Sequence, residues 1–271
     1  MRLLFFVLLI FSFDVQSKIP EPGYGLPELA SEARIKELNS KKRAKVMTPS
    51  VQRKMQRVLE ALDEAGILEQ EQALLKKEKK DKEAEAKDKE IAKAIANGQR
   101  ELDDLKTRLA SLQSYDRSMY YYYSAYYNLA YQDKISEAMN NYVKLVAEKD
   151  TAEKLRVNAY YVLAQLYLSE SNYQSGLDYL LRWFKNTAEV NPDGYVLLGQ
   201  AYYLLADKES TKSKVLASYQ KAYNNMVEAK RLADEKQIRF RENWYSLLLA
   251  SMGELDLKNE QVPVYEEILE L

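Results

Sequence analysis

The sequence predicts an all-α fold in which helix pairs stack side by side, and three observations support that prediction. Glycine and proline are scarce, with 8 and 6 among 271 residues, so little of the chain is suited to tight turns. Charged residues make up 30% of the chain, which is typical of long solvated helices. A pattern of spaced aromatic and small residues recurs in the second half, and such recurrence indicates a repeat architecture. The predicted architecture is a right-handed superhelix of helix pairs, a solenoid, preceded by a charged, coiled-coil-like helical arm.

The first residues, "MRLLFFVLLIFSFDVQSKIP", have the pattern of a cleavable signal peptide. A basic residue, Arg2, precedes an apolar stretch over residues 3–13, and small residues follow. The stretch is shorter than the roughly 20 residues that a membrane-spanning helix needs. We therefore predict a signal peptide at residues 1–17, cut at Ser17-Lys18, and a periplasmic location. An uncleaved anchor or a buried helix is the alternative.

Residues 18–49 are predicted to form a linker. The stretch "KIPEPGYGLPELAS" holds three of the six prolines and two glycines, which favours an extended chain.

A degenerate first helix pair is predicted at residues 50–76. Apolar residues at 55, 58, 59 and 62 follow helical spacing after the capping residue Ser50. Gly66 then interrupts the pattern, so we predict a tight turn between two helices there.

Residues 77–114 are predicted to form a charged helical insert. The stretch "KKEKKDKEAEAKDKEIAKAIANG" alternates charges and lacks large apolar residues, which is typical of a solvated helix. We expect this helix to stop at Asn97-Gly98. A stripe of four leucines, at 102, 105, 109 and 112, follows. It fits a helical hairpin folded back on itself or a dimer seam equally well.

Residues 115–271 carry the repeated pattern. The segment "YVLLGQAY" places Tyr195, Leu198, Gly199 and Tyr202 at the spacing of a tetratricopeptide first helix. "YYVLAQLY" and "WYSLLLAS" repeat it from Tyr160 and Trp244, and "SMYYYYSAYYNLAY" repeats it loosely. The predicted second helices place a small residue four before a large apolar one, at Ala138/Tyr142, Gly176/Leu180 and Ala222/Met226, with Gln261/Tyr265 as a degenerate pair. The predicted repeats are 119–152, 157–190, 192–235 and 241–271, and residues 208–218 form an insertion that lengthens a helix end or a loop.

The tyrosine-rich run is predicted to have two faces. Tyr122 and Tyr126 occupy packing places, and the out-of-phase residues of each first helix are predicted to line a concave groove that binds a partner. The candidate groove residues are Tyr120, Tyr123, Tyr127, Tyr131, Asn158, Tyr161, Gln165, Val196, Gln200, Tyr203, Tyr245 and Leu249. Tyrosine and amide side chains suit recognition of an extended peptide. The alternative is that the tyrosines only fill space beneath the charged insert.

Composition excludes most catalytic and metal chemistry. The chain has no histidine and no cysteine, which removes imidazole and thiolate nucleophiles and the usual zinc sites. We predict no catalytic residue, no metal and no cofactor. The net charge of −1 offers no excess positive field for nucleic acid.

Three segments resemble one family. The stretches "NAYYVLAQLYLSESNYQSGLDYLLRWF", "GYVLLGQAYYLL" and "ENWYSLLLA" are similar to the periplasmic tetratricopeptide proteins that accompany bacterial TonB energy-transduction systems, over residues 115–271. The resemblance implies a scaffold in TonB-dependent uptake of iron chelates or similar nutrients, with TonB, ExbB and ExbD as partners. It carries over no catalytic residue. The inserts at 78–112 and 208–218 depart from the family pattern, and so does the lack of a polar capping helix before Leu271.

The sequence thus leaves three functional hypotheses. The first is a non-enzymatic periplasmic scaffold that binds a protein partner and no small-molecule substrate. The second is an envelope protein that self-associates through the helices of residues 50–112. The third, a hydrolase using carboxylate pairs, is disfavoured because no carboxylates cluster in a predicted cleft.

Overall fold

The computed structural model describes residues 24–40 and 45–269, and these ranges contain helices but no β-strand. The prediction of an all-α chain is confirmed. The helices are α1 (Glu32–Asn39), α2 (Pro49–Lys77), α3 (Asp81–Thr107), α4 (Ser114–Tyr131), α5 (Ile135–Ala147), α6 (Glu153–Ser169), α7 (Tyr173–Phe184), α8 (Pro192–Ala206), α9 (Lys212–Glu235), α10 (Glu242–Glu254) and α11 (Lys258–Leu269). The predicted signal peptide and its cleavage position lie outside the described residues.

Helix α2 is continuous, so the predicted turn at Gly66 is wrong. A glycine inside a helix costs only about 1 kcal/mol relative to alanine. The neighbouring alanine, leucine, glutamate and glutamine residues are strong helix formers that outweigh this cost. Residues 50–76 therefore form one long helix rather than a helix pair.

Helix α3 likewise continues past the predicted stop at Asn97-Gly98. Here the glycine serves packing and does not end the helix. A Cβ atom on Gly98 would overlap the hydroxyl of Tyr127 on α4 and lie 3.1 Å from Ala61 Cβ on α2. Gly98 thus lets three helices approach one another closely.

Helices α2 and α3 form an antiparallel hairpin within one chain. Leu102 and Leu105 of the predicted leucine stripe are buried in the same apolar cluster as Val51 and Met55 of α2. Glu101 of α3 accepts hydrogen bonds from Arg57 at 2.8 and 2.9 Å. Of the two alternatives for this stripe, the intrachain hairpin is the one that the structure contains.

The remaining helices pair along the chain. Helices α4 and α5, α6 and α7, α8 and α9, and α10 and α11 pack against each other, and each pair contacts the pair that follows it. Three of the connections have three residues with a left-handed residue in the middle, at Asp133, Ser171 and Asp256. The insertion at 208–218 contributes a short loop and the first residues of α9, as predicted.

Residues 24–40 are not a free linker. They include α1, which is capped by Ser31 through a hydrogen bond from Arg34 N at 3.2 Å. Leu26 and Leu38 pack against the apolar cluster of the later helix pairs. This part of the chain therefore belongs to the folded body.

Candidate functional site

A depression lies between α4, α5, α6 and α7 and is the candidate functional site. It encloses about 370 Å³. Its lining residues are Tyr122, Tyr142, Asn158, Ala159, Tyr161, Val162, Trp183 and Asn191. None of these residues carries a formal charge, and the polar groups are three phenols, two amides and one indole. The depression can therefore offer ring faces and neutral hydrogen-bonding groups.

Two phenols of the depression, those of Tyr142 and Tyr161, stay protonated at neutral pH because burial raises their pKa. Burial, with the neighbouring phenols Tyr122 and Tyr126, raises the pKa of Tyr142 to about 12. Burial also raises the pKa of Tyr161, and Asp193 adds to that effect. A protonated phenol can donate one hydrogen bond and accept another, so the depression can serve both sides of a peptide group.

Ring packing fixes the floor of the depression. The rings of Tyr161 and Trp183 have centroids 5.1 Å apart, and Trp183 meets Phe184 edge-on at 4.9 Å. A Cβ atom on Gly194 would come within 2.5 Å of the Trp183 ring. Glycine at this place lets α8 lie against the indole and holds the aromatic floor in position.

The two amides come from different contexts. Asn158 is exposed on the first turns of α6. Asn191 is the N-cap of α8, and its Oδ1 accepts a hydrogen bond from Gly194 N at 3.0 Å. Its Nδ2 group is not used in that cap. Both amides can donate a hydrogen bond to a bound chain.

Only Asn158 and Tyr161 of the predicted groove residues line this depression. Gln165 and Gln200 are exposed at other places. The remaining partly buried residues on α8 and α10 pack against the apolar core, and these are Val196, Tyr203 and Leu249. The depression is therefore lined by two of the twelve predicted residues.

The predicted groove tyrosines of α4 point toward other helices. Tyr120 and Tyr127 are buried, at 6% and 1% exposure, so their rings are unavailable to a partner. Tyr127 meets Gly98 of α3, and its hydroxyl has no hydrogen-bond partner. Tyr123 and Tyr131 are partly buried with the α2–α3 cluster. In this part of the molecule the alternative interpretation holds, because these rings fill space against the hairpin.

The packing places of α4 are shifted by one residue from the prediction. Tyr126, which was expected to pack, is 42% exposed, whereas Ala125 is fully buried. The turn after α4 explains the shift. In the turn after α4, Lys134 N donates to Asn128 O, six residues earlier in the chain. In the turn after α6, Asn172 N donates to Tyr167 O, five residues earlier. Because this turn is one residue longer after α4, the residue of α4 that lies closest to α5 is Ala125 and not Tyr126.

Tyr245 is also a packing residue. It is 2% exposed, and its hydroxyl donates to Glu267 Oε1 at 2.6 Å. Trp244 is equally buried. Tyr245 therefore joins α10 to α11 and does not face a groove.

The spacing within α10–α11 shows why the predicted register was off by one there. Gln261 Nε2 donates to Leu249 O at 3.3 Å. A Cβ on Gly176 would lie 3.2 Å from Ala164 O. Residues 249 and 261 are twelve apart in sequence, as are residues 164 and 176 of the second helix pair. Leu249 therefore occupies the position that a small residue holds in the other first helices. The predicted pattern, which starts at Trp244, had assigned that position to residue 248.

Six lining residues were missed from the groove prediction, namely Tyr122, Tyr142, Ala159, Val162, Trp183 and Asn191. Tyr122 was assigned to packing, and Tyr142 and Trp183 belong to second helices, which were expected only to pack. The dipeptide Asn191-Pro192 was the one available signal, because Asn before Pro is typical of a helix start.

The structure also contains a bound peptide segment of its own. Residues 24–30 run across α7 and α9, and protein side chains bind their backbone. Asn224 Nδ2 donates to Tyr24 O at 2.8 Å, and Asn225 Nδ2 donates to Gly25 O at 3.1 Å. Ala30 N donates to Phe184 O at 3.1 Å. The backbone of this non-helical stretch, which starts with a turn at Tyr24 and Gly25, is thus bound by two side-chain amides and one backbone carbonyl.

Gly25 is required for this seat. Its φ is +78°, and a Cβ atom would overlap the side chain of Lys221. Only glycine adopts this conformation without strain. The Lys221 ammonium lies 5.6 Å from the ring centroid of Tyr24, so the lysine side chain covers both residues.

The same segment continues toward the start of the repeats. Arg34 donates to Glu153 at 2.6 Å and to Asn186 at 3.1 Å. Beyond α1, Lys45 pairs with Asp150 at 2.8 Å. A second depression, of about 260 Å³, lies between the end of α1 and α6, and Asn158 lines it as well. Asn158 therefore lies between the open depression and the N-terminal segment.

Two searches of the described residues were negative. No group of carboxylates there could hold a metal ion, and no helix there is long and apolar enough to cross a membrane.

Comparisons with known protein families, with curated proteins and with solved structures find no match for this chain.

Proposed function

We propose that this protein is a non-enzymatic scaffold that binds an extended segment of a protein partner in the depression around Tyr161. The observation that carries the proposal is the way in which α7 and α9 bind residues 24–30. There the helix pairs already hold a non-helical stretch of polypeptide through side-chain amides bonded to the backbone carbonyls of its turn residues Tyr24 and Gly25. The depression between α4 and α7 offers the same kind of group, and no described residue fills it.

The chemistry of the depression suits a neutral peptide segment. Asn158 and Asn191 can donate to backbone carbonyls, and the phenols of Tyr142 and Tyr161 can donate or accept. The rings add apolar contact with little loss of conformational entropy. A space of 370 Å³ takes one or two side chains. We expect an uncharged partner segment, because a charged side chain would lose water there without meeting an opposite charge.

We further propose that the helix pairs form a tetratricopeptide solenoid with right-handed superhelical stacking. Support comes from the repeated three-residue turns at Asp133, Ser171 and Asp256. Support also comes from Gly176 and Gly199, where added Cβ atoms would press on the facing helix of the same pair. These are features that stacked helix pairs need.

The cellular assignment rests on the sequence. The resemblance of residues 115–271 to TonB-associated proteins and the predicted signal peptide support a periplasmic scaffold in a TonB-type nutrient or iron uptake system. We propose TonB, ExbB or ExbD as the partner on that basis.

Two measurements test these proposals separately. Selection from a phage-displayed library of random peptides tests peptide binding without assuming a partner. We expect selected peptides to bind the parent chain and to lose at least about tenfold in affinity with Asn158→Ala plus Tyr161→Ala. The control is Gln174→Ala, an exposed amide on the outer side of α7. Peptides that bind the double variant as well as the parent would overturn the depression as the site.

The TonB assignment is tested by immobilising the chain from Lys18 onward and applying the periplasmic domains of TonB, ExbB and ExbD. Retention of one domain by the parent and its loss in the Asn158/Tyr161 double variant is the expected result. Failure to retain any of the three, with helical circular dichroism intact, would remove the TonB assignment and leave the peptide-binding proposal to the library.

The second candidate function is a self-associating structural protein of the envelope. It is favoured by one observation, the exposed apolar residues on the outer half of α2.

A further inference from the structure

The outer half of the α2–α3 hairpin presents an unpartnered apolar pair. Ile67 and Leu74 are each 59% exposed, and they are one heptad apart, so they lie on the same face of α2. Between residues 66 and 93 only Ala84 is buried. This half of the hairpin therefore extends beyond the packed core with two large apolar side chains in water.

Opposite charges lie on the two sides of this pair. Residues 60–71 contain five acidic residues and no lysine or arginine, whereas residues 76–82 contain five lysines and two acidic residues. The acidic stretch includes Ile67, and the basic stretch begins two residues after Leu74. The acidic stretch lies on α2, whereas the basic stretch spans the last two residues of α2, the turn and the start of α3. The tip of the hairpin is thus basic and the adjoining part of α2 is acidic, with the apolar pair at their junction.

We infer that this face of α2 binds a second copy of the chain in an antiparallel arrangement. A two-fold axis between residues 70 and 71 places Ile67 against the partner subunit's Leu74. The same axis places Glu64 opposite the partner subunit's Lys77, three residues further out on each helix. The contact is repeated on the other side of the axis, so two apolar pairs and two ion pairs form together.

The groups that meet across the axis are free to pair. Glu64 and Lys77 are exposed, and neither forms an ion pair within the described part of the chain. Glu71, which lies near the axis, is already neutralised by Lys87 at 2.8 Å. Like charges would therefore not meet unscreened at the centre.

One like-charged pair remains at the margin. Asp63 lies opposite the partner subunit's Glu78, and Glu78 is bound by Lys80 at 2.7 Å. The antiparallel register places opposite charges together, whereas a parallel register would align the acidic halves and the basic halves with themselves. Charge complementarity thus selects the antiparallel register.

The contact is small and its affinity should be low. The face from residue 60 to residue 77 is about 25 Å long at 1.5 Å per residue. A surface of this size is below the usual area of a permanent dimer. We expect a dimer that forms at micromolar concentrations and weakens in high salt, since its ion pairs are exposed.

Sedimentation velocity of the full chain over a concentration series tests the proposal. The expected result is a concentration-dependent dimer that is lost in the Ile67→Glu plus Leu74→Glu variant. Val262→Glu is the matched control, because Val262 is 54% exposed on α11 at the other end of the molecule. A chain that stays monomeric up to about 100 μM, well above the micromolar range expected, overturns the proposal. A dimer that survives the double variant overturns it too.

Charge exchange tests the register. Glu64→Lys and Lys77→Glu should each weaken the dimer about tenfold, because each creates two like-charged contacts across the axis. The combined variant restores opposite charges and should associate about as well as the parent. A combined variant that remains as weak as the single variants would overturn the antiparallel pairing. Circular dichroism of each variant confirms that the hairpin stays helical.

Discussion

Helices α4 and α6 differ in what their tyrosines do, although both are first helices of a pair. On α4 the rings of Tyr120 and Tyr127 are buried against neighbouring helices. On α6 Tyr161 lies at the wall of an open depression of about 370 Å³. The difference comes from the preceding elements, since the long α2–α3 hairpin covers α4. The abundance of tyrosine therefore does not identify a binding face, and the neighbouring helices decide it.

The largest expected effect concerns Gly98 of α3, against which the Tyr127 ring of α4 packs. Gly98→Ala should lower the free energy of unfolding by about 2 kcal/mol or more, since the new methyl overlaps Tyr127 in a packed site. Gly66→Ala is the matched control, because a Cβ there meets nothing within 4 Å. It should stabilise the chain by up to about 1 kcal/mol through helix propensity.

Urea unfolding followed by circular dichroism measures both glycine variants. Equal effects at the two positions would show that Tyr127 does not pack on α3, and the comparison between α4 and α6 would fail.

The next effect is a loss of stability in alkali. Burial raises the pKa of Tyr127 and of Tyr142 to about 12, above the value of about 10 in an unfolded chain. A raised pKa contributes stability that is complete below pH 10 and is lost as the pH rises from 10 to 12. Unfolding measured between pH 9 and pH 12 should show this decline.

Two variants assign the alkaline decline to these phenols. Tyr127→Phe and Tyr142→Phe should each make the decline shallower, since each removes one phenol. Tyr126→Phe is the control, because Tyr126 is 42% exposed. A decline that is unchanged in both variants would assign it to other groups, among them the phenols of Tyr131 and Tyr219, whose pKa burial also raises to about 12.

A smaller effect distinguishes two buried hydroxyls. Tyr127→Phe removes a buried hydroxyl that has no partner, so it should be neutral or stabilise the chain by about 1 kcal/mol. Tyr245→Phe removes a 2.6 Å hydrogen bond to the Glu267 carboxylate and should cost about 1.5 kcal/mol. Thermal unfolding of the two variants gives the signs. If Tyr127→Phe destabilised the chain and Tyr245→Phe did not, the hydroxyl of Tyr127 would have a hydrogen-bonding role.

The smallest effect should separate the seated segment from the open depression. Asn224→Ala removes the bond to Tyr24 O and should raise amide exchange in residues 24–30, with a change of about 0.5 kcal/mol in global stability. Asn158→Ala should leave both quantities unchanged and lower only partner binding. Hydrogen-exchange mass spectrometry measures the amide exchange of residues 24–30. A loss of protection there in Asn158→Ala would show that the N-terminal segment and the depression behave as one site.

The sequence was informative about helix content and helix pairing, because apolar periodicity and small-residue spacing are local. It failed where a tertiary contact decides the outcome. Gly66 and Gly98 each suggested the end of a helix, yet α2 and α3 continue through them. Only at Gly98 does a neighbouring ring, that of Tyr127, leave no room for a Cβ atom. The one-residue shifts at Tyr126 and Tyr245 arise from turn geometry and from pair spacing, which a repeat pattern does not specify. Asn158 and Tyr161 were predicted to line the site because α6 follows the repeat pattern most closely.

The N-terminal segment has a consequence for how the molecule unfolds. Stacked helix pairs touch only their neighbours, so such arrays can open one unit at a time. Here Tyr24 is bonded to Asn224, 200 residues further along the chain, while Thr48 N donates to Asp116 at 2.9 Å. The segment thus fastens the third pair to the first, and separation of any pair between them would have to break it. A chain built from local contacts is in this way given a long-range closure, which should slow its folding and make its unfolding more cooperative.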